Sequence, residues 1–179
     1  MRSDLHSWLK RGGLIAYPTE SCFGLGCDPH NKSALRKLIK LKQRDSAKGL
    51  ILIAYHVRQF SPFIAPLTPA LKDKMRRVWP AAHTWLVPSS SQCPPELTGG
   101  RDTLAVRIPA LKISRDLCQK ANMALVSTSA NISGRQAIKT YAACVRQFAG
   151  RVRIIHGKIG HRRNPSRIQH LLTNQIIRK

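Results

Sequence analysis

The chain has 179 residues and a mass of 20.0 kDa, with 42% apolar residues and a mean hydropathy of −0.25, enough for one compact domain with a real core. No apolar run approaches the roughly 20 residues that span a bilayer, and the opening Met-Arg-Ser-Asp-Leu-His-Ser-Trp lacks the apolar segment of a signal peptide, so a cytoplasmic, non-membrane protein is expected. Lys and Arg number 31 against 8 Asp and Glu, a net charge of +23 that attracts phosphates, while the scarcity of carboxylates argues against a two-metal phosphoryl-transfer site. The chain contains no acid beyond Asp116. A bland alternative is a basic composition that only solvates the surface. Five scattered cysteines without a Cys-x-x-Cys pair or ligand spacing are expected to be buried free thiols, with no protein-held metal.

In chain order, Leu5, Trp8 and Leu9 predict a helix over 3–11, closed by Gly12-Gly13. Leu14 to Tyr17 reads as a strand ended by Pro18, followed by a Gly-punctuated segment from Cys22 to Cys27. Asn31 or Ser33 can cap a helix over 33–43, with Leu35, Leu38 and Ile39 on its apolar face and Lys32, Arg36 and Lys40 opposite. Residues 49–54 form a continuous apolar run, expected at an interior sheet position. Helices are expected over 57–64 and 69–79, a strand over 85–87, and a Ser/Pro/Gly-rich loop over 89–100, the best place for mobility. A strand over 104–108, a helix over 113–121, a strand over 124–127, a helix over 140–148, a strand over 152–155 and a basic loop over 157–165 complete the pattern. Helices and strands alternate, and some strands are adjacent, so the expected fold is a single α/β domain over 1–179 with a mixed sheet flanked by helices.

Three strand ends carry polar groups suited to one cleft. Thr19 and Glu20 follow the first strand; Glu20 can hold Mg²⁺, accept from an amine, or pair with an Arg. Arg107 ends the strand opened by Thr103, where an Arg needs an anion. In Leu125-Val-Ser-Thr-Ser-Ala-Asn-Ile-Ser-Gly134, strand alternation puts Ser127, Ser129 and Asn131 on one side and Thr128 on the other; a Ser/Thr turn with local bonds is the competing reading. Lys42, Arg44 and Lys48 at a helix-to-strand junction can gather triphosphate oxygens, or complement the helix dipole. No His or Lys marks a serine as a nucleophile, so covalent catalysis is not expected. Gly24-x-Gly26 is too short for a dinucleotide fingerprint, and there is no Walker loop.

The ordered set resembles the YrdC-like family in its short bacterial form. It comprises Ala16-Tyr-Pro-Thr-Glu20 with Phe23-Gly-x-Gly-Cys-Asp-Pro29, Leu41-Lys-Gln-Arg44 through Ile53, Leu104-Ala-Val-Arg107, 125–134, and Gly157-x-x-Gly160-x-Arg162-x-Asn164-Pro-Ser166. Trp79-Pro-Ala-Ala-His-Thr84 departs from the family's Trp-Pro-Gly-Pro, and Asp45 stands where Pro is common. The resemblance implies a twisted sheet with a large basic concave groove and an L-threonylcarbamoyladenylate synthase: a nucleotidyltransferase joining L-threonine, bicarbonate and ATP with release of pyrophosphate. Mg²⁺ would be held mainly by the ATP phosphates. The product would serve N6-threonylcarbamoyladenosine formation at tRNA position 37 with a bacterial threonylcarbamoyl transferase. Thr19, Arg107 and Ser127 would face threonine. Lys42, Arg44, Thr103, Ser129, Asn131 and Ser166 would face ATP, with Lys42 and Arg44 catalytic. The alternative is an RNA-binding protein that takes tRNA or double-stranded RNA in the basic groove without synthase activity. A carbamoyl-adenylate former of hydrogenase maturation is a weaker option, since the accessory domains of that group are absent.

Overall fold

The computed structural model describes residues 4–179; Ser3, expected to open the first helix, lies outside the described residues. A nine-stranded sheet has the order β7-β1-β2-β6-β3-β5-β4-β8-β9. Its strands are β1 (Ile15–Pro18), β2 (Phe23–Gly26), β3 (Ile51–Ile53), β4 (His83–Pro88), β5 (Thr103–Arg107), β6 (Leu125–Ser129), β7 (Arg153–Ile154), β8 (Arg167–His170) and β9 (Ile176–Arg178). Pairing is mixed: β1–β7, β3–β5 and β4–β8 run parallel, and the remaining neighbours antiparallel. The helices are α1 (Asp4–Lys10), α2 (Lys32–Lys42), α3 (Pro69–Val78), α4 (Pro95–Thr98), α5 (Lys112–Ala121) and α6 (Tyr141–Phe148). Among the described residues, no helix is long and apolar enough to cross a membrane.

The central strands read as apolar runs because the sheet is covered on both faces. Ala16, Leu25, Leu52, Val106 and Val126 join a larger core with α2, α3 and α6, through Leu35, Leu38, Met75 and Phe148. Their neighbours Ile15, Tyr17, Ile53 and Leu125 point the other way, into a smaller core with Leu5 and Leu9 of α1 and Leu117 and Ala121 of α5. On this second face the strands continue into Ser127 and Arg107. Polar groups therefore begin where the apolar cover ends.

Helix boundaries follow their caps. Asn31 accepts from Ala34 N at 2.9 Å to open α2, Thr68 opens α3, and Thr140 opens α6. Lys32, Arg36 and Lys40 are exposed on the far side of α2, as the periodicity predicts. The helix expected over 57–64 is only a 3₁₀ turn at Val57–Phe60, because Pro62 has no N–H to bond back into a further turn, and Ile64 bridges to Ser89. The run at 49–54 supplies only three strand residues: Gly49 sits at φ +58, and Leu50 donates to Leu97 O at 2.8 Å. The loop at 89–100 is pinned rather than loose, with Leu97 1% exposed in the short α4. Beyond the basic loop, β8 and β9 extend the sheet without a counterpart in the sequence pattern. Ala81 N donates to Ile108 O, and Ala82 O accepts from Arg167 N, so this segment docks without the Gly-Pro of relatives. Three cysteines are buried as expected, but Cys22 and Cys93 are half-buried because they sit on loops at the rim of the sheet.

Gly26 marks the tightest approach of β2 to β6: a Cβ there would lie 2.4 Å from Val126 O. Gly26→Ala is expected to lower the free energy of unfolding by about 1–3 kcal/mol, since backbone must move to admit the methyl. A denaturant titration measures it; an unchanged midpoint would mean that the two strands are not held in this register.

Candidate functional site

On the second face, a cleft of about 320 Å³ opens where α1 and α5 stop covering the sheet. The three polar strand ends meet in it: Thr19 after β1, Arg107 at the end of β5, and Ser127 and Ser129 at the end of β6, with Ile51 between them. The pairing dictates this convergence, because Ile51 of β3 faces Ala105 on one side and Ser127 on the other. Asn131 lies just past β6. Thr128, expected to face away, is also among the lining residues.

Lys42 reaches the cleft from behind. Its side chain is 2% exposed, and its ammonium donates to the main-chain oxygens of Ser129 and Asn131 and to Asn131 Oδ1. All three N–H groups are thereby engaged in tying the end of α2 to the end of β6. Burial, and then the nearby Arg44, push its pKa down to about 8. Ser129 Oγ donates to Asn131 Oδ1 at 2.6 Å, and Asn131 Nδ2 donates to the carbonyls of Ile132 and Arg135, so the strand end is cross-braced. Arg44 lines the cleft directly. Gln43 takes a left-handed conformation that stops α2, and the Arg44 Nε and one terminal nitrogen donate to Gly49 O at 3.1 and 2.9 Å. Burial lowers its pKa from the usual guanidinium value. Asp45 caps the following 3₁₀ turn through Ala47 N, so its charge serves the turn beside these cations.

Arg107, 7% exposed, lines the cleft with Glu20 behind it at 3.5 Å. Of the roles open to Glu20, the structure takes the ion pair: Oε1 also accepts from Ala110 N at 2.9 Å. The Arg107 Nε is buried and has no hydrogen-bond partner among the described residues. Tyr17, buried beneath, donates to Val126 O, and burial holds its phenol protonated far above the usual range. Thr19 Oγ1 donates to Cys22 O at 2.8 Å, and Cys22 itself forms part of the wall. Loop 157–165 closes one side through Gly160 N to Thr19 O and Arg162 N to Glu20 O. Ser166 follows that loop, hydrogen-bonded to Thr84 Oγ1 at 2.8 Å and contacted by the Arg178 guanidinium.

Of the residues singled out from the sequence, Thr19, Arg44, Arg107, Ser127, Ser129, Asn131 and Ser166 line one cleft, while Lys42 buttresses it. Thr103 lies on the same face of β5 as Arg107, four residues away, and is not among the lining residues. Sequence reasoning did not find Arg135, Lys139, Arg163 and Arg178, four further cations in the lining. Arg178 had no local signal, because β9 is placed by pairing with β8 alone. No carboxylate lines the cleft, and among the described residues no three His, Cys, Asp or Glu gather as a metal site. The arrangement can bind a polyanion alongside a carboxylate and donate hydrogen bonds to both.

Comparison with known proteins gives a consistent set. The family model Sua5_yciO_yrdC, described as telomere recombination, matches residues 7–179. The chain is 55% identical over 174 residues to a threonylcarbamoyl-AMP synthase of Thiobacillus denitrificans, covering 97% of this chain and 93% of that protein. It is 52% identical to one of Methylobacillus flagellatus, covering 97% of each. The structure of P. abyssi Sua5 complexed with L-threonine superposes with a TM-score of 0.85 at 28% identity, covering 93% of this chain; the chain spans 49% of that protein. E. coli YciO shares the fold, with a TM-score of 0.81 at 21% identity, over 97% of this chain and 86% of that one.

The depressed Lys42 pKa gives a signed pH effect. The folded state holds the Lys42 proton less tightly than the unfolded state, so stability relative to Lys42→Met should rise between pH 8 and the ordinary lysine value near 10.5. Denaturation of the two proteins across that window measures it; a difference that falls with pH would show the carbonyl bonds outweighing burial and contradict the lowered pKa.

Proposed function

We propose that the chain, which belongs to the Sua5/YciO/YrdC family, is an L-threonylcarbamoyladenylate synthase: it makes threonylcarbamoyl-AMP and pyrophosphate from L-threonine, bicarbonate and ATP. The observation that carries this reading is the single cleft in which three polar strand ends meet five arginines and a lysine with no carboxylate in the lining. The names of the relatives at 55% and 52% identity and the threonine complex of P. abyssi Sua5 support it.

In this reading threonine's carboxylate meets the Arg107 guanidinium, with Ser127 and Thr19 beside it. Its amine, once neutral, bonds to the carbon of carbon dioxide derived from bicarbonate and loses a proton. A carbamate oxygen then attacks the α-phosphorus of ATP, and the bond to the β-phosphate oxygen breaks, releasing pyrophosphate. This is a phosphoryl-centre displacement between bound anions, so positioning and cationic stabilisation carry the catalysis. Arg44 contacts the triphosphate, Ser129 and Asn131 the nucleotide, and Ser166 closes over it. Lys42 holds the Ser129–Asn131 wall and supplies buried positive charge behind it. Thr103 would join the nucleotide contacts only if that part of the cleft draws closer. The donor set of hydroxyls, amides and cations suits Mg²⁺ carried on the ATP phosphates, where it would offset their charge, better than a protein-held ion.

The product is an activated carbamoyl donor, for which we propose a threonylcarbamoyl transferase partner acting on position 37 of tRNA in the cytoplasm. Arg135, Lys139 and Arg163 at the cleft suit approach of such an RNA.

Pyrophosphate release from ATP should require both threonine and bicarbonate. Arg107→Ala should raise the KM for threonine about 10- to 100-fold, the loss of a charged hydrogen-bond partner, with a smaller effect on the KM for ATP. Arg44→Ala should reverse that pattern. Threonine-independent pyrophosphate release would overturn the assignment.

A further inference from the structure

At the opposite end of β1, five residues or about 15 Å of strand from Thr19, lies a larger concavity that the synthase reading does not use. It measures about 530 Å³ and is lined by Trp8, Arg11, Gly12-Gly13 and Leu14 on one side and Lys37, Lys40 and Leu41 of α2 with Arg151 on the other. Its floor is apolar, through Leu14 and Leu41, and its rim carries four cations and no acid.

A chain of net charge +23 has many unpaired cations, so a basic rim alone means little. The neighbourhood is informative because acids are present there and are spent elsewhere. Asp28 pairs with Lys10 at 2.9 Å, Asp4 with Arg153 at 2.6 Å, and Glu96 with Arg36 at 3.9 Å. Each of these cations adjoins the groove in sequence or on α2, and each is neutralised. Among the described residues, Arg11, Lys37, Lys40 and Arg151 belong to no ion pair. Arg151 is held in place across the Phe148 ring, 5.6 Å from its centroid, and donates to Gln147 O.

The second observation is Trp8. Trp79 and Trp85 are buried, 8% and 3% exposed, whereas Trp8 is half-buried and lines the groove. Its Nε1 donates to Leu14 O at 3.1 Å, which fixes the ring. The indole packs so closely on Gly13 that a Cβ there would lie 2.3 Å from it. A fixed indole over an apolar floor, ringed by uncompensated cations, suits a planar base with its phosphates.

We propose that this groove is a second nucleotide-unit site, distinct from the substrate cleft, in which a base lies on Trp8 and phosphates meet Arg11, Lys37, Lys40 and Arg151. The same chemistry is offered by an unpaired stretch of RNA and by a free mononucleotide. Four cations around one base favour the RNA stretch, whose successive phosphates can engage all of them.

The test is a fluorescence titration of the full chain with single-stranded decaadenylate and, separately, with AMP. Decaadenylate should quench saturably, and the quench should vanish in Trp8→Phe. Arg11→Ala/Lys40→Ala, an exposed pair whose loss leaves the core intact, should weaken binding at least 10-fold and reduce the salt slope by about 0.7 per cation removed. Arg44→Ala, in the substrate cleft, should leave this quench unchanged, so failure of the synthase reading and failure of this one are separable. Saturable, Trp8-dependent quenching by AMP as tight as by decaadenylate would assign the site to a free nucleotide. Absence of quenching, quenching that persists in Trp8→Phe, or binding lost in Arg44→Ala but not in the groove pair would overturn the proposal.

Discussion

The ammonium of Lys42 is the joint on which the cationic cleft depends. It crosses from the last residue of α2 to the main-chain oxygens of Ser129 and Asn131, joining the helical layer to the one strand that links the two halves of the sheet. β6 pairs β2 on one side and β3 on the other. A strand end in that position has carbonyls with no further strand to receive them, and a buried cation with three N–H groups answers that need. Burial lowers the Lys42 pKa to about 8, while the bonds keep the charged form in use at neutral pH. A methionine would fill the space but remove the ammonium from both carbonyls, leaving Ser129 O only its bond from Asn131 N.

Charge economy shapes the remainder. Among the described residues, six of the acids sit in ion pairs: Asp4, Glu20, Asp28, Asp73, Glu96 and Asp116. Asp45 caps a turn. Four of these pairs tie separate segments together, those of Asp4, Glu20, Asp28 and Glu96, and the lining of the cleft is left cationic. Glu20 shows why one acid nevertheless belongs there. A buried Arg107 without a counter-ion would be costly, and Glu20 offsets its charge while the residue still lines the cleft. The cleft can therefore remain strongly positive without unpaired buried charge undermining the fold.

Much of this was legible in the residues. The run of hydroxyl and amide side chains after Val126 and the polar ends at Thr19 and Arg107 carry local signals, and the sheet brings them together, although Thr128 joins the lining against the strand alternation. Helix caps at Asn31, Thr68 and Thr140 are likewise local. What could not be read is non-local. Arg178 reaches Ser166 because β9 pairs back on β8, which itself pairs with β4 more than 80 residues earlier. By contrast, the helix expected over 57–64 stops for a local reason, Pro62, which has no N–H to continue the turn. Lys42 looked like a surface phosphate ligand because its helix is basic; its burial depends on the carbonyls of a strand 87 residues later. Burial of a lysine is decided by its acceptors, and acceptors on the main chain leave no trace in side-chain pattern.

A double-mutant cycle across this joint tests the central claim, that Lys42 acts through the strand end it braces. The dissociation constant for ATP is measured for Lys42→Met, Asn131→Ala and the pair. The account predicts that each single change weakens binding and that the pair falls short of the product of the two, because Lys42→Met removes the bonds to the Ser129 and Asn131 main-chain oxygens and both changes remove the bond to Asn131 Oδ1 at the same strand end. Losses that multiply would show Lys42 and Asn131 acting independently, and would contradict it.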